Sequence, residues 1–415
     1  MIRRYIADTP LIGVSLLLAA FGVAMVYSAG QTDVPTVATH AWRSQLVWIA
    51  LGITAAFIVS RASVRFVEWV TVPVYVLSIT LLVVTLLFGT GAGTAASVKG
   101  WLTIGGVRLG QPAELAKLTV VLMLARVLAA RREPVLSLLD LWKPALVVGV
   151  PWVLIMAQPD LGTGIAFIGI FFGMLFWSGV RLPLLILIAS PALSLILAFS
   201  SWYWGAWFLL LLALVIWYRP YLVEGIVIVM ANLATGVVAP LLWGTLAPYQ
   251  RNRLLVFLDP SIDPRHTGWH VIQSQVAIGS GGWFGKGFTL GTQKRLAFLP
   301  AQHTDFIFSV VGEELGFIGV TLALSLFAAL LVRAVQIAGR ANDSFSSLVA
   351  FGLATGWLVH IIVNIGMTLN LMPITGIPLP FFSYGGSFML ASFLAVGLLL
   401  RISSEGRGIG RGMRG

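Results

Sequence analysis

Carboxylates, cations and glycines in this chain concentrate in a few polar stretches, and the longest of them runs from Pro248 to Phe306. It holds Arg251, Arg253, Arg265, Lys286, Lys294 and Arg295 beside Asp259, Asp263 and Asp305, with His266, His270 and His303. Glycines cluster from Gly279 to Gly291, where a backbone without Cβ atoms can close on a ligand and turn N–H groups toward an anion. A cationic, Gly-rich loop between apolar helices reads as a site for an amphipathic, negatively charged substrate. The plainer reading is a solvated connector, although loops of this length are usually functional or disordered. Trp269, Val271, Ile272, Trp283 and Phe284 bring more apolar surface than a disordered connector carries.

Three shorter polar stretches complete the inventory. The first, Gly89 to Lys117, carries Lys99, Trp101 and Arg108 and ends in Q-P-A-E-L-A-K, where Pro112 fits a helix start and Glu114 and Lys117 share a helical face at i,i+3. The second, Q-P-D-L-G-T-G, sets Asp160 at the mouth of a helix. The third runs from Asn370 to Ser387, with three prolines that break the helix and Tyr384-Gly385-Gly386-Ser387 opening the next. Ionisable groups near a membrane, in a chain so poor in them, are functional candidates. Each also has a structural reading: Glu114 and Lys117 as an ion pair at a helix end, Asp160 and Asp305 as N-caps. The histidines lack metal-ligand spacing, since His266 and His270 fall in a Gly-containing turn.

These stretches are positioned by apolar helices. Of 415 residues, 58% are hydrophobic and 10% charged, which excludes a soluble globular domain. Without cysteine there are no disulfides, thiolate chemistry or Cys-bound metals. The expected fold is an all-α, polytopic membrane bundle in one domain, residues 1–415, with 248–306 as its large extracytoplasmic loop. Twelve apolar segments can be placed, at Leu11–Tyr27, Leu46–Val59, Val67–Phe88, Leu115–Leu128, Leu141–Met156, Ile165–Trp177, Leu182–Phe199, Trp204–Trp217, Val223–Trp243, Ile307–Val332, Leu348–Leu371 and Phe382–Leu400. Several fall short of a span, so their helices must run into the flanks. Of 26 Lys and Arg, six lie in the long loop and four (Arg43, Lys99, Arg108, Lys117) in short loops of the same side, leaving sixteen opposite. Positive-inside topology then sets both termini in the cytoplasm and the long loop outside. The net charge of +11 has the same explanation, and no nucleic-acid partner is expected.

The ordered set of motifs resembles the SEDS family (shape, elongation, division and sporulation) of integral-membrane peptidoglycan glycosyltransferases, nearly end to end. The resemblance is carried by Lys99-Gly100-Trp101, Q-P-A-E-L-A-K, Q-P-D-L-G-T-G, the Asp259–Gln275 segment, G-S-G-G-x-x-G-K-G, H-T-D-F-I-F-S-V-V-G-E-E-L-G-F-I-G and P-I-T-G-I-P-L-P-F-F-S-Y-G-G-S. N-I-G-M-T and P-I-T-G-I-P-L-P look more like the elongation branch than the division branch. Departures are Ala113 for a usual serine, Ala301 for a usual glutamate, and D-P-R-H-T-G-W after Asp263, so that only Asp263, Pro264 and Gly268 of that turn carry over. Ten spans are usual in the family, which makes the pair at 204–243 an inserted hairpin.

What the resemblance implies is polymerisation of lipid II, an undecaprenyl-pyrophosphate-linked disaccharide peptide, at the outer face of the cytoplasmic membrane. A sugar hydroxyl must lose a proton while pyrophosphate leaves, which asks for a carboxylate base and for cations on the departing charge. Asp263 matches the family's loop aspartate and is the expected base. Expected substrate contacts are Trp101, Arg108, Glu114, Lys117, Asp160, Arg251, Lys286, His303, Thr304, Tyr384 and Ser387, with Glu114 orienting Lys117. No cofactor follows, although a divalent cation, Mg or Mn, at the pyrophosphate is left open. The implied partners are a class B penicillin-binding protein transpeptidase and membrane lipid. A lipid II flippase is the rival reading of so many spans.

Overall fold

The computed structural model describes residues 8–33, 36–91, 99–104, 107–131, 135, 137–245, 251, 255–257, 259, 267–296, 298–299 and 301–412. Each of the twelve apolar segments becomes a helix: α1 (Thr9–Ala29), α2 (Ala41–Arg61), α3 (Val64–Phe88), α4 (Pro112–Ala129), α5 (Trp142–Ala157), α6 (Leu161–Trp177), α7 (Leu182–Leu197), α8 (Ser201–Tyr218), α9 (Leu222–Thr245), α12 (Ile307–Gly339), α13 (Ser344–Thr368) and α14 (Gly386–Gly412). Between α9 and α12 the long polar segment folds α10 (Thr267–Ser280) and the single turn α11 (Thr292–Arg295). Among the described residues nine candidate spans are long and apolar enough to cross a membrane; α6 and α7 are shorter apolar helices, and α4 carries Glu114, Lys117 and Arg126.

Local chemistry fixes the helix starts. Asp8, Ser63, Asp160 and Asp343 each accept a backbone N–H three residues on, supplying the N-terminal amides with an acceptor where hydrocarbon offers none. Asp160 is the N-cap foreseen from the sequence; Asp305 is not one, because α12 starts after Phe306 with no side-chain cap. Among the described residues the only strands are an antiparallel hairpin, β1 (Leu102–Ile104) and β2 (Val107–Gly110), which sets Thr103 opposite Arg108 and feeds directly into α4. α13 and α14 are the most enclosed spans. α13 packs on α12, α6 and α4, and α14 lies along α2.

α7, α8 and α9 form a side bundle with its own small core of Leu187, Leu211 and Ile228. Buried polar groups join them: Asn232 on α9 accepts from Ser194 (2.6 Å) and donates to Ser190 (2.8 Å), and Trp207 on α8 donates to Ser194 (3.1 Å). Such bonds hold helices together where no hydrophobic drive exists between them. Trp204 lies on the bare backbone of Gly236 and stacks on Phe208 at 5.1 Å, while Trp202 and Tyr203 are exposed.

The Gly-rich loop after α10 does something its composition did not announce. α12 breaks at Gly316 (φ +61°, ψ −158°), so the carbonyls of Glu313 and Glu314 lose their helical donors. Lys286 and Gly287 supply the missing N–H groups at 2.9 and 3.0 Å, and Phe317 and Ile318 donate back to Gly282 and Trp283 at 2.9 and 3.2 Å. The amides of Lys286 and Gly287, within the run expected to face an anion, are therefore spent on a broken helix. Close approach requires glycine at Gly285, whose φ is +76° and whose Cβ would collide with the Glu314 carbonyl. Gly285→Ala should lower the melting temperature in detergent by several degrees, through left-handed strain of about 1–2 kcal/mol plus the collision. Gly279→Ala, where a Cβ meets nothing within 4 Å, should melt within about a degree of wild type.

At the other end of the bundle, buried Asp8 receives Arg333 through two bonds of 2.7 and 2.8 Å and Ser403 at 2.7 Å, joining α1, α12 and α14. Burial raises its pKa, but the Arg333 and Ser403 bonds and the Arg333 charge outweigh burial and hold it below 3.8. Asp8→Ala should cost about 1.5–3 kcal/mol, since it removes the carboxylate that accepts two bonds from the part-buried Arg333 guanidinium. The deficit should be constant at neutral pH and shrink in acid, because a depressed carboxylate loses its contribution as pH falls through its folded pKa. Melting temperatures of both proteins between neutral and acid pH check both statements.

Candidate functional site

Glu114 and Lys117 lie in the first two turns of α4, inside the bundle rather than in the preceding loop. Their side chains are 5% and 8% exposed and form an ion pair of 2.8 Å. Lys117 Nζ also lies 2.7 Å from His360 Nε2 on α13, and the ring's Nδ1 lies 2.9 Å from the Pro378 carbonyl. Phe388 on α14 stacks on His360 at 4.5 Å and sits under the Lys117 ammonium at 5.2 Å. A cavity of about 40 Å³ adjoins these four side chains, room for water but not for a sugar.

Gln111, the residue before α4, ties this pair to its surroundings. Its backbone N–H donates to Ser387 Oγ at 3.0 Å and its amide donates to Asp160 Oδ2 at 3.1 Å. Asp160 meanwhile accepts the Thr163 amide (3.0 Å) and hydroxyl (2.9 Å) at the head of α6. Glu114, Lys117, Asp160 and Ser387 are thus brought together at the mouth of α4, α6 and α14. Trp101 bridges to Thr90 beside the hairpin that leads there, and Arg108 lies on β2. His303 and Tyr384 join the long polar segment to the stretch before α14: the Tyr384 amide donates to the His303 carbonyl at 3.0 Å and the rings lie 5.5 Å apart. Burial lowers the His303 pKa from 6.5, so its ring is neutral at pH 7.

Other expected contacts point elsewhere. Lys286, 28% exposed, pairs with Glu313 at 2.9 Å and donates to Thr292 at 2.8 Å. Thr304 turns its hydroxyl back to the Ala301 carbonyl (3.1 Å), and Arg251 donates to the Gly244 carbonyl. Asp263 and His266 lie outside the described residues, while His270 sits on α10 against Phe306, not in a turn. No group of three or more His, Asp or Glu side chains that could hold a metal ion occurs among the described residues.

Apart from Lys286, a second charged cluster had no role in the sequence reading. Lys294, fully buried, meets Glu314 at 2.6 Å and donates to the carbonyl and hydroxyl of Ser28 on α1 at 2.7 and 2.6 Å. Burial pulls the Lys294 pKa down, and Glu314 opposes this only in part. Glu313, also fully buried, collects Lys286, the Thr292 hydroxyl and the Gln293 amide. With Gln302 donating to the Ala29 carbonyl at 2.7 Å, these bonds pin Lys286, residues 292–294 and Gln302 to α1 and α12. Two adjacent glutamates in an apolar run were the available signal, as was the lone histidine of α13.

Comparison with known proteins agrees with this architecture. The sequence model of the FtsW, RodA and SpoVE family, described as "Cell cycle protein", matches residues 8–210 and 203–408. The "Peptidoglycan glycosyltransferase RodA" of Treponema pallidum is 34% identical over 420 residues, 94% of this chain and 96% of the relative. Among solved structures, a chain described under "Structural coordination of polymerization and crosslinking by a peptidoglycan synthase complex" superposes with a TM-score of 0.71 at 28% identity, covering 96% of this chain and 98% of its own. The rod shape determining protein RodA of Thermus thermophilus gives 0.61 at 26% identity, covering 95% and 96%. The chain belongs to the FtsW/RodA/SpoVE family of cell cycle proteins.

Proposed function

We propose that this multi-pass membrane protein is a peptidoglycan glycosyltransferase that polymerises lipid II during cell-wall elongation, with Asp263 as general base and Lys117 as the cation nearest the departing pyrophosphate. The observation that carries the assignment of the site is the buried Glu114–Lys117 pair at the mouth of α4, linked through Gln111 to Asp160 and Ser387. Placing a Lys–Glu pair in an apolar bundle costs desolvation that packing alone would not ask for. An anion arriving there meets an ammonium whose counter-charge is already in place. Asp263 takes the proton of the acceptor hydroxyl as that oxygen bonds to the donor's anomeric carbon, and the C–O bond to pyrophosphate breaks. Charge accumulates on the leaving oxygen and is met by Lys117, with Arg108 as a further candidate cation. The charge asymmetry of the loops supports an outer-face site and cytoplasmic termini. The likeness to a polymerisation and crosslinking complex supports a class B penicillin-binding protein as the transpeptidase partner.

Asp263→Asn should abolish glycan synthesis by purified protein supplied with lipid II while leaving the melting temperature unchanged, because the amide is nearly isosteric and cannot take the proton. Lys117→Ala should lower turnover at least about tenfold, from loss of a charged contact of roughly 1.5–3 kcal/mol. Normal synthesis by Asp263→Asn with loss in Asp259→Asn would move the base. Lipid II crossing vesicles without polymer formation would favour a flippase.

The hairpin α8–α9 is proposed as an addition to the family core, since the family match divides at residues 203–210, within α8, and the hairpin packs mainly on α7, with one further bond from the Leu138 amide to Glu224 at 2.8 Å. None of its residues lines the cavity at Lys117. Removing it in one piece, joining Phe199 to Ala247, keeps the number of crossings even. The shortened protein should polymerise lipid II within about threefold of wild type; loss of synthesis by a properly inserted deletion protein would show that the hairpin takes part in the chemistry.

A further inference from the structure

We infer that His360 is a positioning residue for the Lys117 ammonium, held in one tautomer so that a single Lys117 N–H is left for the pyrophosphate; this rests on the glycosyltransferase reading above. His360 is the only ionisable side chain in the 25 residues of α13, and it is 2% exposed. The Pro378 carbonyl can only accept, so the Nδ1 that lies 2.9 Å from it carries the hydrogen. An ammonium can only donate, so the Nε2 that lies 2.7 Å from Lys117 offers its lone pair. A doubly protonated ring would set an N–H against the ammonium at that distance, and the hydrogen-bond pattern therefore assigns a neutral, Nδ1-protonated imidazole. Phe388 fixes the plane of the ring by stacking at 4.5 Å.

Lys117 then gives one N–H to Glu114 and one to His360, which leaves the third for a ligand. A flexible ammonium held by Glu114 alone would turn about its stem. With a second acceptor its direction is set, and a preorganised donor does not have to reorient as charge develops. Pro378 belongs to the same proline-broken stretch as Tyr384 and Ser387, so the aim of the ammonium is tied to that wall of the site. A core histidine that merely satisfied its own hydrogen bonds would not couple to Lys117 in turnover.

The test is a double-mutant cycle on the full-length protein, read as kcat and KM for glycan formation from lipid II, with the melting temperature of each variant. His360→Leu should lower kcat roughly tenfold and change KM less than about threefold. His360→Gln, whose amide oxygen can accept the same N–H, should return kcat to within about threefold of wild type. His360→Asn, too short to reach Lys117, should not, and this pair of amides decides the matter even if the leucine variant fails to fold. In a Lys117→Met background, adding His360→Leu should change turnover less than about twofold, because nothing is left to position. Wild-type kcat in His360→Leu, or a full independent loss in the Lys117→Met background, overturns the inference alone. Full turnover by Lys117→Met overturns the site reading and the inference together.

Discussion

Inside a bundle bounded by hydrocarbon, a charge persists only beside its counter-charge, because leaving either partner alone costs several kcal/mol and water is not there to help. That constraint organises this molecule. Lys117 is matched by Glu114, Lys294 by Glu314, Lys286 by Glu313 and Arg333 by Asp8. The Glu114–Lys117 pair lies within α4, and the other three join parts of the chain that hydrophobic packing would leave free to slide. Asp8 ties the N-terminus of α1 to α12 and α14, and the glutamates after Gly312 tie the long polar segment to the helix it precedes.

The two inner clusters divide the labour. Glu313 and Glu314, with the broken backbone at Gly316, tie residues 282–287 and 291–294 to α12. The backbone bond from Tyr384 to His303 then joins the proline-broken stretch to the same body. Glu114 and Lys117 stand at the mouth below these fixed walls, with Asp160 and Ser387 attached through one glutamine. A site built this way has little freedom to collapse in the absence of substrate, as electrostatic preorganisation requires.

Hydropathy made the helices legible: all twelve apolar segments form helices, and α2, α4, α6 and α8 extend into their flanks, whereas α5 does not lengthen and α7 ends short of its segment. Pro112 and Asp160 announced the starts of α4 and α6 by their side-chain chemistry. The glycine run approaches a neighbouring helix at Gly285, and composition shows that a backbone can approach something but not what it approaches. Here the answer depended on a helix break some thirty residues later. His360 escaped notice because its meaning lies in Lys117, 243 positions away, and no local pattern carries a contact of that separation. The β1–β2 hairpin is too short and too rich in glycine for its alternation to stand out.

The account's central claim is that the anion of the substrate sits at Lys117, at the mouth of α4, rather than on the Gly-rich segment or along the α8–α9 hairpin. A structure of the full-length protein with lipid II bound tests it most directly. The account predicts pyrophosphate oxygens within hydrogen-bond distance of Lys117 Nζ, with Asp263 turned toward the acceptor sugar and the Lys286–Glu313 pair still closed. Pyrophosphate held by the amides of Gly279–Gly291, or by any group that leaves Lys117 paired only with Glu114 and His360, would contradict it.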